Sequence, residues 1–264
     1  KNLDIFYIDH HLSHIASSFY PSKFKECLSV SVDGFGDFAS VNIAKCSEEK
    51  IEVLEKIYFP DSLGIFYEMM TQFLGFNNYG DEYKLMGLAS YGQPIYFDKM
   101  KDNIFNKDKI FKLNKKFFVH HKKDYSYKFD GIPKQNSLYS NEINNLFSKD
   151  LVENEKENLA ASVQKVYEYY LFKILEYAKT LYNSENLCLS GGCALNSSAN
   201  GKIKQELKFK NVFIPYAPAD AGGAIGSAMV QIKKDNAKKK FENIDNPYLG
   251  PDYKNEEILY AFNS

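Results

Sequence analysis

The chain holds five histidines, and three of them fall in His10-His11-Leu12-Ser13-His14. On a helix, residues four apart project from one face, so His10 and His14 can offer two imidazole nitrogens to one ion. Two neutral imidazoles joined by a carboxylate suit iron or zinc and leave positions open for substrate. A helix start that is merely rich in histidine fits the same pattern. His120 and His121 stand among lysines and read as solvated surface.

Three glycine-rich turns form a second group. Val32-Asp33-Gly34-Phe35-Gly36-Asp37 separates two strand-like runs. Its glycines would let the backbone approach a phosphate and point N–H groups at it. A tight hairpin needs the same residues. Leu189-Ser190-Gly191-Gly192-Cys193-Ala194-Leu195-Asn196 and Pro218-Ala219-Asp220-Ala221-Gly222-Gly223-Ala224-Ile225-Gly226 each pass from a strand into a helix. Unpaired N–H groups and the helix dipole there favour an anion or a nucleotide. The turn at Gly191 is neither a Walker loop nor the dinucleotide fingerprint. Glu82 and Lys84 lie in a further glycine-punctuated stretch, Tyr79 to Gly92, where an isolated pair of this kind is a surface ion pair of little consequence.

These residues need a scaffold. Asp9 can start a helix that runs unbroken to Pro21. Residues 27–32 alternate Leu28, Val30 and Val32 with Ser29 and Ser31, which predicts a half-buried strand. Residues 39–45 and 50–59 continue as strands, making an antiparallel meander. Leu63, Phe66, Tyr67, Met70, Phe73 and Leu74 then recur at helical spacing, and a long helix is predicted from Asn158 to Leu181. Two strand–turn–helix units follow, with strands at 186–189 and 211–215 and a last helix ending near Lys233. This order predicts an α/β layered fold with a mixed sheet. Residues 93–155, rich in Lys, Asn and aromatics without sustained periodicity, read as an insertion.

Composition sets outer limits. Of 264 residues, 44% are hydrophobic and 25% charged, and the formal net charge is -1. That balance gives no bulk attraction to nucleic acid or anionic membrane. No apolar run approaches the roughly 20 residues of a membrane span, so a soluble chain is expected. Cys27, Cys46, Cys188 and Cys193 form no C-x-x-C pair, and read as buried free thiols of a cytoplasmic protein. The start at Lys1 and the lack of a visible signal peptide read as a piece of a longer protein.

Taken together, His10 to His14, the Asp33–Asp37 turn, Ser62-Leu63-Gly64, Glu82 to Gly92, Ser190 to Asn196, Pro218 to Gly226 and Pro247 to Pro251 resemble the O-carbamoyltransferases of antibiotic tailoring and nodulation-factor modification. The motifs stand in order over almost the whole chain outside the insertion. The resemblance implies an actin-like (ribonuclease H-like) fold of two lobes, related to the tRNA threonylcarbamoyl transferase. It further implies that a second domain makes carbamoyl adenylate from ATP and carbamoyl phosphate. The two-lobed domain would then pass the carbamoyl group to a hydroxyl of a small-molecule or sugar acceptor beside bound iron or zinc. By this likeness His10, His14, Asp33 and Asp220 are metal ligands. Gly34, Gly36, Gly191, Gly192 and Asn196 hold the adenylate, and Lys84 and Glu82 line the cleft as catalytic residues. His11, left over from the metal, is the candidate base.

The implied layout is residues 1–25 as the end of the first lobe, 26–235 as the second lobe with 93–155 inserted, and 236–264 as a linker toward a C-terminal domain. A divided fold leaves a sheet edge and an apolar wall open, so a homodimer is a possible state. Two rivals share the glycine turns. A sugar-kinase-type phosphotransferase would hold magnesium through carboxylates and lack the histidine pair. A nucleotide-binding module without turnover would need no metal.

Overall fold

In the computed structural model, which describes residues 4–122, 127–128, 131–241, 246–248 and 250–263, the apolar runs after Pro21 form strands β1 (Glu26–Gly36), β2 (Ala39–Ser47) and β3 (Ile51–Tyr58). The runs ahead of the two later glycine turns form β4 (Asn186–Ser190) and β5 (Asn211–Phe213). They build one sheet in the order β3-β2-β1-β4-β5. The first three strands are an antiparallel meander, and β4 and β5 run parallel to β1. This is the mixed sheet that the element order predicts, with the strand arrangement of the ribonuclease H-like fold that the resemblance implies.

Helix α1 (His10–Phe19) covers one face of the sheet, and α2 (Leu63–Phe73), α3 (Glu82–Leu88) and α4 (Lys156–Leu181) lie on the other side of the molecule. Helix α5 (Asp220–Asp235), which follows β5, packs on α1. Both α1 and α2 start on side-chain caps: Asp9 accepts the Leu12 N–H at 2.8 Å, and Ser62 accepts the Ile65 N–H at 3.1 Å. Leu28, Val30, Val32, Val41 and Ile43 form the main core with α2 and α4. Ile15, Phe19, Cys27, Ala44, Cys46 and Cys188 form a smaller one beneath α1. All four cysteines are free and buried.

Two expectations need correction. β1 is buried on both faces rather than half-buried, because Ser29 and Ser31 lie beneath α1 with no exposure. Small hydroxyl side chains, unlike Lys or Glu, can sit under a helix once they find partners. His120 is not solvated surface: its ring packs against Phe59 and Phe118, and its Nε2 lies 3.0 Å from the Pro60 carbonyl. His121 beside it is half-buried.

The stretch 93–155 places Phe105, Phe111, Phe118 and Phe147 in the main core, so it packs as part of the same body. Residues 123–126 and 129–130 of that stretch lie outside the described residues, as do 1–3 at the N-terminus. Within the expected linker, Asn255–Asn263 is helical and exposed, and residues 242–245, 249 and 264 lie outside the described residues. Among the described residues no helix is long and apolar enough to cross a membrane.

Candidate metal centre

The fold brings four side chains from three elements together at the C-terminal ends of the central strands. His10 and His14 come from the first two turns of α1, Asp33 from β1, and Asp220 from the first residue of α5. One donor atom from each lies within 4.8 Å of the others. The two histidine Nε2 atoms are 3.0 Å apart. Asp33 Oδ2 stands 2.8 Å from His10 Nε2 and 3.3 Å from His14 Nε2. Asp220 Oδ1 closes the group at 3.6 and 3.4 Å from the same two nitrogens.

Glycines make this approach possible. A β-carbon on Gly226 would lie 1.8 Å from the Ser13 carbonyl oxygen, so only glycine lets α5 carry Asp220 so close to α1. A β-carbon on Gly36 would lie 2.1 Å from the His10 ring, and one on Gly192 would lie 2.8 Å from Asp33 Oδ1. The His10 backbone N–H donates to Asp37 at 2.8 Å, which ties the start of α1 to the β1–β2 turn.

Charge follows the geometry. The imidazole hydrogen bond to Asp33 raises the His10 pKa against the opposing effects of burial and of His14. For His14, burial disfavours the charged form, but Asp220 and Asp33 outweigh it and raise the pKa to about 9. Burial alone would raise the Asp33 pKa; His10, His14 and the Gly192 N–H instead hold it well below the ordinary carboxylate range. Two imidazole nitrogens at hydrogen-bond distance need a proton or a cation between them. Two nitrogens and two carboxylate oxygens are a donor set that iron and zinc accept, so the residues fit such an ion.

Other expected site residues fall elsewhere. His11 is 1% exposed, and its ring nitrogens lie 2.9 Å from the Ser31 hydroxyl and 2.9 Å from the Ala39 carbonyl. Its pKa is lowered by burial, and with both nitrogens engaged it has none left to act as a base in the cleft. Lys84 pairs with Asp81 at 2.7 Å rather than with Glu82. Glu82 is half-buried, and burial raises its pKa. Burial also raises the Tyr79 pKa, and the charges of Asp220, Glu68, Glu82 and Asp33 add to the rise.

The turn after β4 does not leave the N–H groups of its two glycines free. Gly191 donates to the Pro218 carbonyl at 2.8 Å, and Gly192 donates to Asp33 Oδ1 at 2.9 Å. Gly191 takes φ +88°, and a β-carbon there would lie 2.2 Å from the Val32 carbonyl oxygen. The Asn196 amide pairs with Gln164 in both directions at 3.0 Å and accepts the Ala199 N–H at 3.0 Å. Of the five residues expected to hold a nucleotide, Gly36, Gly191, Gly192 and Asn196 therefore build the protein itself. Gly34 alone has open space beside it.

Sequence reading missed the support behind this turn. Tyr167 donates to the Cys193 carbonyl at 2.7 Å, Tyr67 donates to Gln164 at 2.8 Å, and Gln164 donates to the buried Glu168 at 3.0 Å. Tyr67, Gln164 and Tyr167 follow helical spacing and look like ordinary core positions. Their one legible signal is polar atoms on otherwise apolar stripes.

A ribonuclease H-like sheet with a two-histidine, two-aspartate cluster at its strand ends defines the class of site. The family model described as "Carbamoyltransferase N-terminus" matches residues 1–229, and the chain belongs to that family. It is 37% identical over 266 aligned residues to "Uncharacterized protein sll1178" of Synechocystis sp., covering 95% of this chain and 41% of that protein. It is 28% identical to "Nodulation protein NolNO" of Sinorhizobium fredii, covering 94% of this chain and 34% of that one. The chain thus spans less than half the length of these relatives. A crystal structure of full-length HypF in the phosphate- and nucleotide-bound form matches with a TM-score of 0.46 at 14% identity, covering 89% of this chain and 36% of that one.

Proposed function

We propose that the chain holds iron or zinc at His10, His14, Asp33 and Asp220 and takes part in carbamoyl transfer from carbamoyl adenylate to a hydroxyl of a small-molecule or sugar acceptor. In this reading the adenylate is made from ATP and carbamoyl phosphate by a part of the protein outside this sequence. The observation that carries the reading is the convergence of four donor atoms within 4.8 Å in a member of a carbamoyltransferase family.

The bound ion would supply Lewis acidity toward the carbamoyl group. The chain's own residues have separate tasks. Asp33 orients both imidazoles through one oxygen and is itself held by the Gly192 N–H through the other. With His11 sealed, Glu82, half-buried at the start of α3, is the candidate acceptor of the hydroxyl proton, and its burial favours the protonated form. Gly34, with nothing within 4 Å of its side-chain position, leaves room for a ligand beside the cluster. A magnesium-dependent phosphotransferase is disfavoured by the two imidazoles, since magnesium prefers oxygen donors.

Metal analysis of the purified chain tests the reading. Wild type should carry one iron or zinc per chain, and His14→Ala should lose most of it. Equal metal content in the two would remove the assignment.

A further inference from the structure

His11 stands between the two candidate ligands in sequence yet touches neither Asp33 nor Asp220 by any hydrogen bond among the described residues. Its ring meets those of His10 and His14 edge-on, with centroids 5.4 and 6.1 Å away. The Ala39 carbonyl can only accept, so His11 Nε2 carries the proton, and Nδ1 is left to accept the Ser31 hydroxyl. Ser31 lies on β1 and Ala39 begins β2, so one side chain spans both strands of the hairpin. The same hairpin supplies Asp33 to the His10 and His14 rings and Asp37 to the His10 N–H. The first turn of α1 is thus gripped by residues 31, 33, 37 and 39.

The seat beneath α1 changes character along the helix. Its far end packs through Ile15 and Phe19 on Cys27, Ala44, Cys46 and Cys188, contacts that are mainly apolar and non-directional, with the Ser18 hydroxyl adding two long contacts of 3.5 Å to Ser29 and Ser190. At the metal end the contact is a fully buried imidazole with two partners of fixed direction. A rotation or a one-turn slip of α1 would leave the imidazole, the hydroxyl and the carbonyl buried and unpaired, whereas apolar packing would tolerate it far better.

We propose that His11 is a positioning residue of the metal centre: by holding the Ser31 hydroxyl and the Ala39 carbonyl together, it fixes the rotation and register of α1 so that His10 and His14 meet at Asp33. The inference rests on the metal reading above. It assigns His11 a role in shaping the ion's surroundings, without contact to substrate or ion.

Cobalt(II) titration of the chelator-stripped chain separates the two ideas, because the ion reports its own geometry in the visible spectrum. Wild type should bind one cobalt per chain. His11→Phe keeps an aromatic ring and removes both hydrogen bonds, and it should weaken cobalt binding by about tenfold to a hundredfold with a changed visible spectrum. Ser31→Ala removes only the Nδ1 partner and should shift both readouts the same way by less. It carries the test if the His11→Phe chain does not fold. Folded variants that bind cobalt within about twofold of wild type, with an unchanged spectrum, would overturn the positioning role and leave the metal reading intact. A wild-type chain that binds no cobalt would remove the metal reading, and the positioning role with it.

Discussion

The Gly192 N–H donates to Asp33 Oδ1 at 2.9 Å, while the second oxygen of the same carboxylate faces His10 and His14. The turn after β4 therefore serves a candidate metal ligand. Glycine stands at position 192 because a β-carbon would press on that carboxylate at 2.8 Å. Gly192→Ala should displace Asp33 and weaken metal binding by about tenfold, or roughly 1.4 kcal/mol. Calorimetric titration with zinc measures this directly. An unchanged affinity in a folded variant would show that Asp33 is not a ligand or that the turn yields without effect.

The metal-free chain should have a stability profile set by the same cluster. His10 and His14 have raised pKa values, so their contribution is fully present below about 6.5, the unfolded histidine value. It is lost as the pH rises, for His14 through about 9. Asp33 is lowered, so its contribution is present above the unfolded carboxylate value of about 4 and lost only as the pH falls below the ordinary carboxylate range. Chelator-treated protein should therefore melt lower at pH 9.5 than at pH 6 (both about). His14→Ala should flatten most of that slope. A metal-free melting temperature that is level across this window would contradict the raised proton affinity of the histidine pair.

Glu168 offers a test away from the ion. Its carboxylate is buried, takes both a 2.6 and a 2.8 Å hydrogen bond from Lys202, and anchors Gln164. Removing one partner of a buried pair leaves the other charge unpaired, a loss of about 3–5 kcal/mol where water is fully excluded. Lys202 is half exposed, so water would reach part of the gap, and Lys202→Ala should cost about 2 kcal/mol. Urea unfolding measures it. Lys202→Ala combined with Glu168→Gln should recover part of the loss, because the double variant has no buried charge to strand.

Spacing made the histidine pair legible, while the two aspartates entered only through the family resemblance. His10 and His14 are four apart after a capping Asp9, whereas Asp33 lies within β1 and Asp220 opens α5. The order of elements along the chain was legible from the switch between two-residue and helical periodicity. What stayed hidden depends on pairing across the chain. Nothing local says that Gly192 must face Asp33, or that Lys84 prefers Asp81 to Glu82. The lysines around His120 suggest solvent, yet Phe59 and Phe118 enclose its ring. Ser29 and Ser31 alternate like solvent-facing residues, and only the placement of α1 buries them. The serines were themselves a signal, since an exposed strand face would more often carry charge.

The last test concerns Asn42, the residue opposite Ser31 on β2. It is fully buried, and neither its Oδ1 nor its Nδ2 has a hydrogen-bond partner among the described residues. A buried amide without partners loses its hydration and gains nothing in return, a deficit of about 1–3 kcal/mol. Valine has a similar volume, suits a strand and carries no polar atom. Its β-branched side chain would extend the apolar contact that Ala44 already makes with Ile15 of α1. Asn42→Val should therefore raise the unfolding free energy by about 1–2 kcal/mol, by the same reckoning. Zinc affinity should hold, because the His11–Ser31–Ala39 contacts do not use the amide. Urea denaturation and zinc titration of this one variant give both answers. A loss of stability would mean that the amide finds partners in solution. A loss of zinc affinity at unchanged stability would tie Asn42 to the seating of α1.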